Sequence, residues 1–414
     1  MKRVVVTGLG TVNPLGNDIS TFWNNIKSGK NAGQKISRFD ASRFRSQVAC
    51  EVQDFDPTSF LDRNEIKRTD LFTQYALASA AQAMEDANLD LPSMDPFDIG
   101  VIWGVGQGGM QTFESEVENY VNGDYNPRFN PFFIPKLLVN MAAGMISMKY
   151  GLQGINYTPV SACATGNTAI MDAFNYIRLG KAKVFVTGGS EAGITSASFG
   201  GFSAMKAMST RNDDPQTASR PFDKDRDGFV MGEGAAALIL EEYEHAKARG
   251  AKIYAELVGA AMTADAYHMT SPHPEGLGAA KAMQLALEEA GLQPADVDYL
   301  NLHATSTPVG DIAELNAVQK VFTGSSNLHV SSTKSMTGHL LGAAAAIEAI
   351  IAIKSINDNI VPATTNVLEL DENIPAGIQI VINKSLAKPV KVAMSNAFGF
   401  GGHNATVVFK ALEA

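Results

Sequence analysis

Short β-branched runs alternate with alanine-rich stretches of helical period along most of the chain, and this alternation predicts a layered α/β architecture. Candidate strands fall at Val4–Thr7, Ile99–Trp103, Val184–Thr187 and Ala236–Leu240. Candidate helices fall at Asp70–Ala87, Asn167–Leu179, Leu277–Ala290 and Asp311–Val321. Phe129–Pro135 and Ser209–Gly228 are polar or proline-bearing and periodic in neither sense, which predicts ordered loops. The most apolar long stretch, Leu340–Ile353, is interrupted by Glu348 and falls short of a membrane span.

The pattern also repeats. Ala76–Gly106 runs from a helix through Asn88-Leu89 and an Asp-rich turn into a strand, and Lys281–Thr305 does the same through Gly291-Leu292. Further on, Ser161-Ala162-Cys163-Ala164-Thr165-Gly166 aligns with Thr333-Lys334-Ser335-Met336-Thr337-Gly338, each followed by a helix rich in Ala and Ile. These repeats predict two similar α/β halves, residues 1–250 and 251–414, joined near Lys247-Ala248-Arg249-Gly250. Cys163 opens a helix in the first half and Ser335 takes the matching place in the second. Duplicated halves that face one another put a site at their junction.

Composition narrows the class. The chain has 414 residues, 45% hydrophobic and 18% charged, enough to bury a large core and hold two domains. Its formal net charge of −10 offers no global basic field for nucleic acid, so an anionic partner must be met by a local patch. Two cysteines exclude a disulfide framework and suit a reducing compartment. The charged start Met1-Lys2-Arg3 leads into an apolar run too short for a signal peptide, and a soluble cytoplasmic protein is expected.

Cys163 is the first candidate for chemistry. Small residues crowd the turn after Pro159, and helical spacing resumes through Ala169, Ile170, Ala173, Phe174 and Ile177. Unpaired backbone N–H groups and the positive end of the helix dipole favour a thiolate there, whereas a buried structural cysteine is the alternative the residues leave open. His303 and His339 stand in polar turns, where each alone also fits a solvated or hydrogen-bonded residue; their spacing matches no common zinc motif. Glycines 399, 401 and 402 around Phe400 predict unusual backbone angles and close approach to a ligand.

Ser161–Gly166, Asn301-Leu302-His303-Ala304-Thr305-Ser306-Thr307, Lys334-Ser335-Met336-Thr337-Gly338-His339 and Phe398-Gly399-Phe400-Gly401-Gly402 together resemble the β-ketoacyl-acyl-carrier-protein synthases of the thiolase fold. Val139–Gly144 and Ser219–Phe229 resemble the elongating type II members most closely. The resemblance implies a layered α-β-α-β-α fold and a decarboxylative condensation of an acyl chain with malonyl carrier protein. It implies Cys163 as the acyl-accepting nucleophile, His303 and His339 as hydrogen-bond donors to the thioester oxygen, and Lys334 as their support. The N–H groups of Cys163 and Phe400 would form the oxyanion hole, with the Phe400 ring as a gate.

By the same resemblance Thr305 and Thr307 hold the pantetheine arm, and Asp311, Glu314 and Glu348 stand behind the site. Arg63, Lys67, Arg68, Lys206 and Arg211 occupy the places of carrier-docking basic residues. No cofactor is expected on the enzyme, since the substrates carry phosphopantetheine on acyl carrier protein, and the expected assembly is a homodimer with neither nucleic acid nor membrane as partner. Three positions depart from the family pattern: His403 beside the gate, Ala345 where glycine is usual, and Gln107, a polar residue expected in the acyl pocket. Rival readings are a synthase of a specialised aryl-polyene or polyketide pathway and a chain-length partner subunit; the latter lacks the cysteine that this chain has. A degradative thiolase would need a second cysteine near the C-terminus, and only Cys50 remains.

Overall fold

The computed structural model describes residues 1–413. Its central feature is an eleven-stranded sheet assembled from two half-sheets of the same design. The first half contributes β1 (Val4–Val12), β2 (Ile99–Val105), β3 (Asn156–Tyr157), β4 (Val184–Glu191) and β5 (Gly234–Glu242). The second contributes β6 (Ala255–Ala264), β7 (Tyr299–Asn301), β8 (His329–Ser331), β9 (Gln379–Ile380), β10 (Val392–Gly399) and β11 (His403–Lys410). The order is β9-β8-β7-β10-β11-β6-β1-β5-β4-β2-β3, so the half-sheets meet where β1 and β6 pair antiparallel. Reading outward from that seam, β1-β5-β4-β2-β3 and β6-β11-β10-β7-β8 are the same arrangement: two antiparallel steps, then two parallel ones.

Helices complete the layers. α1 (Leu71–Ala87) packs on β1 and β5, and α3 (Leu277–Ala290) packs on β6 and β11. Between the half-sheets lie α2 (Thr165–Arg178) and α6 (Ala344–Asp358), which touch each other. α6 is therefore buried on nearly every side, which explains why Leu340–Ile353 is the most apolar run of the chain without being a membrane span. No described helix is long and apolar enough to cross a membrane.

Close packing decides several details. β1 continues past Thr7 through two glycines because α1 presses on it: a Cβ at Gly8 would lie 2.2 Å from the Ala83 carbonyl oxygen, and one at Gly10 would lie 2.1 Å from that of Ser79. The glycines read as a strand end are the contact that lets strand and helix approach. α1 starts one residue after Asp70, whose carboxylate caps it, and α3 spans Leu277–Ala290 between left-handed glycines at 276 and 291. The loop expected at Phe129–Pro135 is overturned in part: Phe133–Leu137 is a short helix, and Pro135 is tolerated because it lies in the first turn.

The repeat needs one correction. Ser335 is not the mate of Cys163. Lys334–Thr337, α5, is a four-residue helix that stops at Gly338 with φ of 69°. The central helix of each half is instead preceded by a 3₁₀ turn, Ala162–Ala164 before α2 and Leu341–Ala343 before α6. Both turns open on a left-handed residue, Ala162 at φ 50° and Leu341 at φ 51°. Gly342 therefore occupies the place of Cys163 in the second half. Ala345 packs against Gly166 where the two helix starts cross: a Cβ on Gly166 would sit 3.1 Å from that of Ala345 and 2.6 Å from the Ala346 nitrogen.

Candidate active site

Cys163 stands in the 3₁₀ turn at the start of α2, 9% exposed. The second half brings His303 from the segment after β7 and His339 from the segment after α5 to the same place, and all three line a cavity of about 440 Å³. The two imidazole centroids are 5.3 Å apart and nearly perpendicular. Phe400 closes one wall, its ring 6.3 Å from that of Phe202, and Thr305, Thr307 and Glu314 line another.

The thiol is not activated at rest in the way its helix-start position predicts. Burial pushes Cys163 up to about 12; Lys334 opposes that shift, while Glu191 and Glu348 add to it. Cys163 packs in one apolar cluster with Ile194, Phe199, Phe229 and Leu341, and burial there is the largest cause of the shift. Both histidines are held well below the usual imidazole range, by burial first and by the Lys334 ammonium second, and His339 adds to the effect on His303. They are neutral at pH 7, and the Nδ1 of each is buried without a hydrogen-bond partner.

Lys334 lies 1% exposed and pairs with Glu348, also buried. Burial lifts the Glu348 carboxyl to about 7 against the pull of Lys334. Glu314 accepts the backbone N–H of His303 at 3.0 Å and of Ala304 at 2.7 Å, so it sets the direction of the His303 segment; burial carries it to about 7. Asp311, at the start of α4 (Pro308–Phe322), accepts from Ser306 N–H at 3.1 Å and Thr307 N–H at 3.3 Å, and is lifted by burial to about 6 against the opposing charge of Arg226. It thereby fixes the Thr305–Thr307 segment, whose two threonine hydroxyls lie 3.2 Å apart.

The glycines around Phe400 have distinct reasons. Gly401 and Gly402 take φ of 91° and 77°, which side chains rarely adopt. Gly399 is required for approach: a Cβ there would lie 2.4 Å from the Ser161 carbonyl oxygen and 3.1 Å from the Cys163 nitrogen. The backbone entering Phe400 thus rests directly on the backbone of Cys163. Among the described residues no turn or side-chain acceptor takes the N–H of Cys163 or of Phe400. His403 opens β11 opposite Gly399, and a Cβ on Gly401 would lie 3.1 Å from its Nε2.

Gln107 does not line the cavity. Its side-chain carbonyl accepts from Ser198 Oγ at 2.8 Å and its backbone N–H donates to Glu191 at 3.0 Å. Of the five basic candidates only Lys206 reaches the cavity rim; Arg63, Lys67 and Arg68 lie exposed on the separate helix Arg63–Arg68, and Arg211 pairs with Asp214 at 3.7 Å.

Sequence reasoning missed two buried charges. Arg226 binds Asp311 at 3.2 Å and Asp371 at 2.7 Å and donates to the Thr307 and Pro308 carbonyls, tying the loop 209–228 to the threonine segment. Glu191 ends the apolar strand β4; a carboxylate following Gly188-Gly189-Ser190 in such a strand was the available signal.

Comparison with known proteins agrees with this architecture. A family model described as the beta-ketoacyl synthase N-terminal domain matches residues 1–246, and its C-terminal counterpart matches residues 254–368. The 3-oxoacyl-[acyl-carrier-protein] synthase 2 of Synechocystis sp. is 48% identical over 411 residues, spanning 99% of this chain and 98% of its own. The protein of that name from Coxiella burnetii is 47% identical over 409 residues, 98% of each. Among solved structures, a β-ketoacyl synthase from Burkholderia phymatum has a TM-score of 0.93 at 34% identity, and a type II polyketide ketosynthase solved with its acyl-carrier protein has 0.92 at 34%; both are covered completely and cover this chain completely. With these matches running the length of both halves, the chain belongs to the β-ketoacyl synthase family.

Proposed function

We propose that the protein is a 3-oxoacyl-[acyl-carrier-protein] synthase of fatty acid elongation, which condenses an acyl chain held on Cys163 with malonyl carrier protein. The observation that carries this reading is the meeting of one thiol from the first half with two neutral imidazoles from the second in a single cavity. The relatives at 47–48% identity bear the name of this activity, whereas the polyketide ketosynthase is 34% identical, which favours elongation over a specialised pathway.

In the first step the sulfur attacks the thioester carbonyl of the acyl carrier. Because burial keeps the thiol protonated at rest, its proton leaves as the bond forms, and a neutral imidazole is the acceptor at hand. The negative oxygen develops where the Cys163 and Phe400 N–H groups point, the C–S bond to pantetheine breaks, and the departing thiolate regains a proton as free carrier thiol. In the second step the malonyl C–C bond breaks, CO₂ departs and the electron pair passes to the enolate. His303 and His339 donate hydrogen bonds to that enolate oxygen, and neutral rings do so without forming an ion pair. The enolate carbon then attacks the acyl-enzyme, the C–S bond to Cys163 breaks, and the departing thiolate takes up a proton from solvent to return to the resting thiol. Burial, with the ammonium of Lys334 paired to Glu348, keeps both rings neutral for this second step.

Lys206 at the cavity rim is the favoured docking cation for an acidic carrier. Homodimer formation is supported by the apolar side chains Phe113, Val117 and Val121 exposed on the helix Met110–Asn122. Both cysteines are free thiols, in keeping with a cytoplasmic setting. The test of the central reading is labelling with a cerulenin-like epoxide and peptide mapping, read beside a condensation assay on acyl and malonyl carrier proteins. Modification of Cys163 with parallel loss of condensation is expected; modification elsewhere, or none, overturns it.

A further inference from the structure

Glu191 is fully buried, and no step above uses it. Its Oε2 accepts the backbone N–H of Gly106 and of Gly342, both at 3.1 Å, and its Oε1 accepts that of Gln107 at 3.0 Å. The cradle is built for a carboxylate at close range: a Cβ on Gly106 would lie 2.4 Å from Oε2, and one on Gly342 would lie 2.8 Å from it.

The duplication explains what fills this place. β4 and β10 are eight-residue mates ending at Glu191 and Gly399, and the 3₁₀ turns at Ala162–Ala164 and Leu341–Ala343 are mates whose middle residues are Cys163 and Gly342. In the catalytic arrangement the end of β10 rests on the Cys163 nitrogen and leaves that N–H to the cavity. In its duplicate the end of β4 meets the Gly342 N–H with a carboxylate. The second oxyanion pocket is plugged.

We propose that Glu191 is a positioning residue for Cys163: its carboxylate occupies the duplicate of the oxyanion pocket, bolts the Leu341–Ala343 turn to the end of β2, and so fixes the wall on which the nucleophile rests. Leu341 and Cys163 belong to one packed cluster, so a displaced turn moves the thiol. Burial lifts the Glu191 carboxyl to about 7, so above that pH the plug also carries a charge near the sulfur. Glu191 and Glu348 oppose the thiolate and Lys334 favours it, while His303 and His339 face the same cavity uncharged. The inference rests on Cys163 being the reacting thiol of the condensing site.

The test is alkylation of Cys163 by iodoacetamide across pH in the full-length protein, together with steady-state condensation. In Glu191→Gln the loss of charge should move the alkylation profile toward acid, seen as faster labelling at pH 8, where the native carboxyl is ionised. kcat should fall severalfold with KM for the acyl carrier little changed. A folded Glu191→Gln protein with an unmoved profile overturns the proposal, because a purely structural role lowers the melting temperature without shifting thiol ionisation. If Glu191→Gln fails to fold, Glu191→Asp decides: it keeps the charge one methylene short, so the profile should stay while kcat falls, and an unchanged kcat is fatal. A shifted profile in a protein that condenses nothing would keep this inference and sink the proposed function instead.

Discussion

Gly399→Ala isolates the oxyanion hole. Gly399 has an ordinary negative φ, so alanine is conformationally allowed there and its only effect is contact. The new Cβ would stand 2.4 Å from the Ser161 carbonyl oxygen, a backbone atom that cannot swing away, where ordinary contacts begin near 3.4 Å. Relief therefore separates the Phe400 segment from the Cys163 turn by about 1 Å, which takes an N–H···O bond of about 2.9 Å beyond useful range. Losing one preorganised donor costs about 3 kcal/mol, or roughly 10²–10³ in rate. Overpacking adds a stability cost of about 1–3 kcal/mol, which a melting curve reports separately. The assay is single-turnover transfer from acyl carrier protein to Cys163, followed by intact mass, with iodoacetamide alkylation as the control that needs no oxyanion hole. Transfer should drop at least a hundredfold while alkylation stays within about twofold. Gly201→Ala, whose Cβ meets nothing within 4 Å, should leave both rates unchanged. Transfer within about threefold of native in a folded Gly399→Ala protein would refute the reasoning.

Three other outcomes follow from the same geometry. Cys163→Gln should abolish condensation yet leave malonyl decarboxylation active or enhanced, since that step belongs to the histidines; loss of both activities in folded protein contradicts the division of labour. Because burial and Lys334 depress both imidazoles, decarboxylation by Cys163→Gln should stay flat as pH falls through 6.5, the value at which an ordinary histidine is half protonated. Adding Lys334→Met removes the repelling charge, so histidine protonation becomes easier and the acid limb should move to higher pH; an unmoved or acid-shifted limb would exclude Lys334 as a charge that holds the imidazoles down. Lys206→Glu should raise KM for carrier substrates several-fold at unchanged kcat, with an effect that shrinks in salt, whereas Arg63→Glu, away from the rim, should do less; equal effects measured on acyl carrier protein would move the docking surface to the helix Arg63–Arg68.

What the chain reveals in one dimension depends on whether the deciding contact is local. The period of Leu277–Ala290 and the glycines beside it are local, and that helix was legible to the residue. β1 was cut short at Gly8 because the reason for glycine there is the Ala83 carbonyl of α1, far along the chain. Cys163, His303 and His339 were legible as motifs, but the state of the thiol was not: helix-start position argued for a thiolate, and the apolar cluster in which it is buried is contributed by Ile194, Phe199, Phe229 and Leu341 from separate segments. The partners of Gln107, Ser198 and Glu191, are equally out of reach of local reading, since they lie some ninety residues on.

The misread repeat points to a principle about duplicated active sites. Thr333–Gly338 resembles Ser161–Gly166 in composition, yet the equivalence lies a turn later, at Leu341–Ala343, where only the left-handed first residue and the long buried helix behind it are shared. Two-fold architecture supplies two helix starts facing one junction, but one cavity admits one nucleophile. The second half has Gly342 at its cysteine position and has spent its own loops on the histidines and Lys334 that the first half's thiol requires, while Glu191 of the first half fills the adjoining pocket. Asymmetry of side chains on a symmetric backbone is thus what makes the junction a catalyst, and Glu191 is where the unused copy is closed.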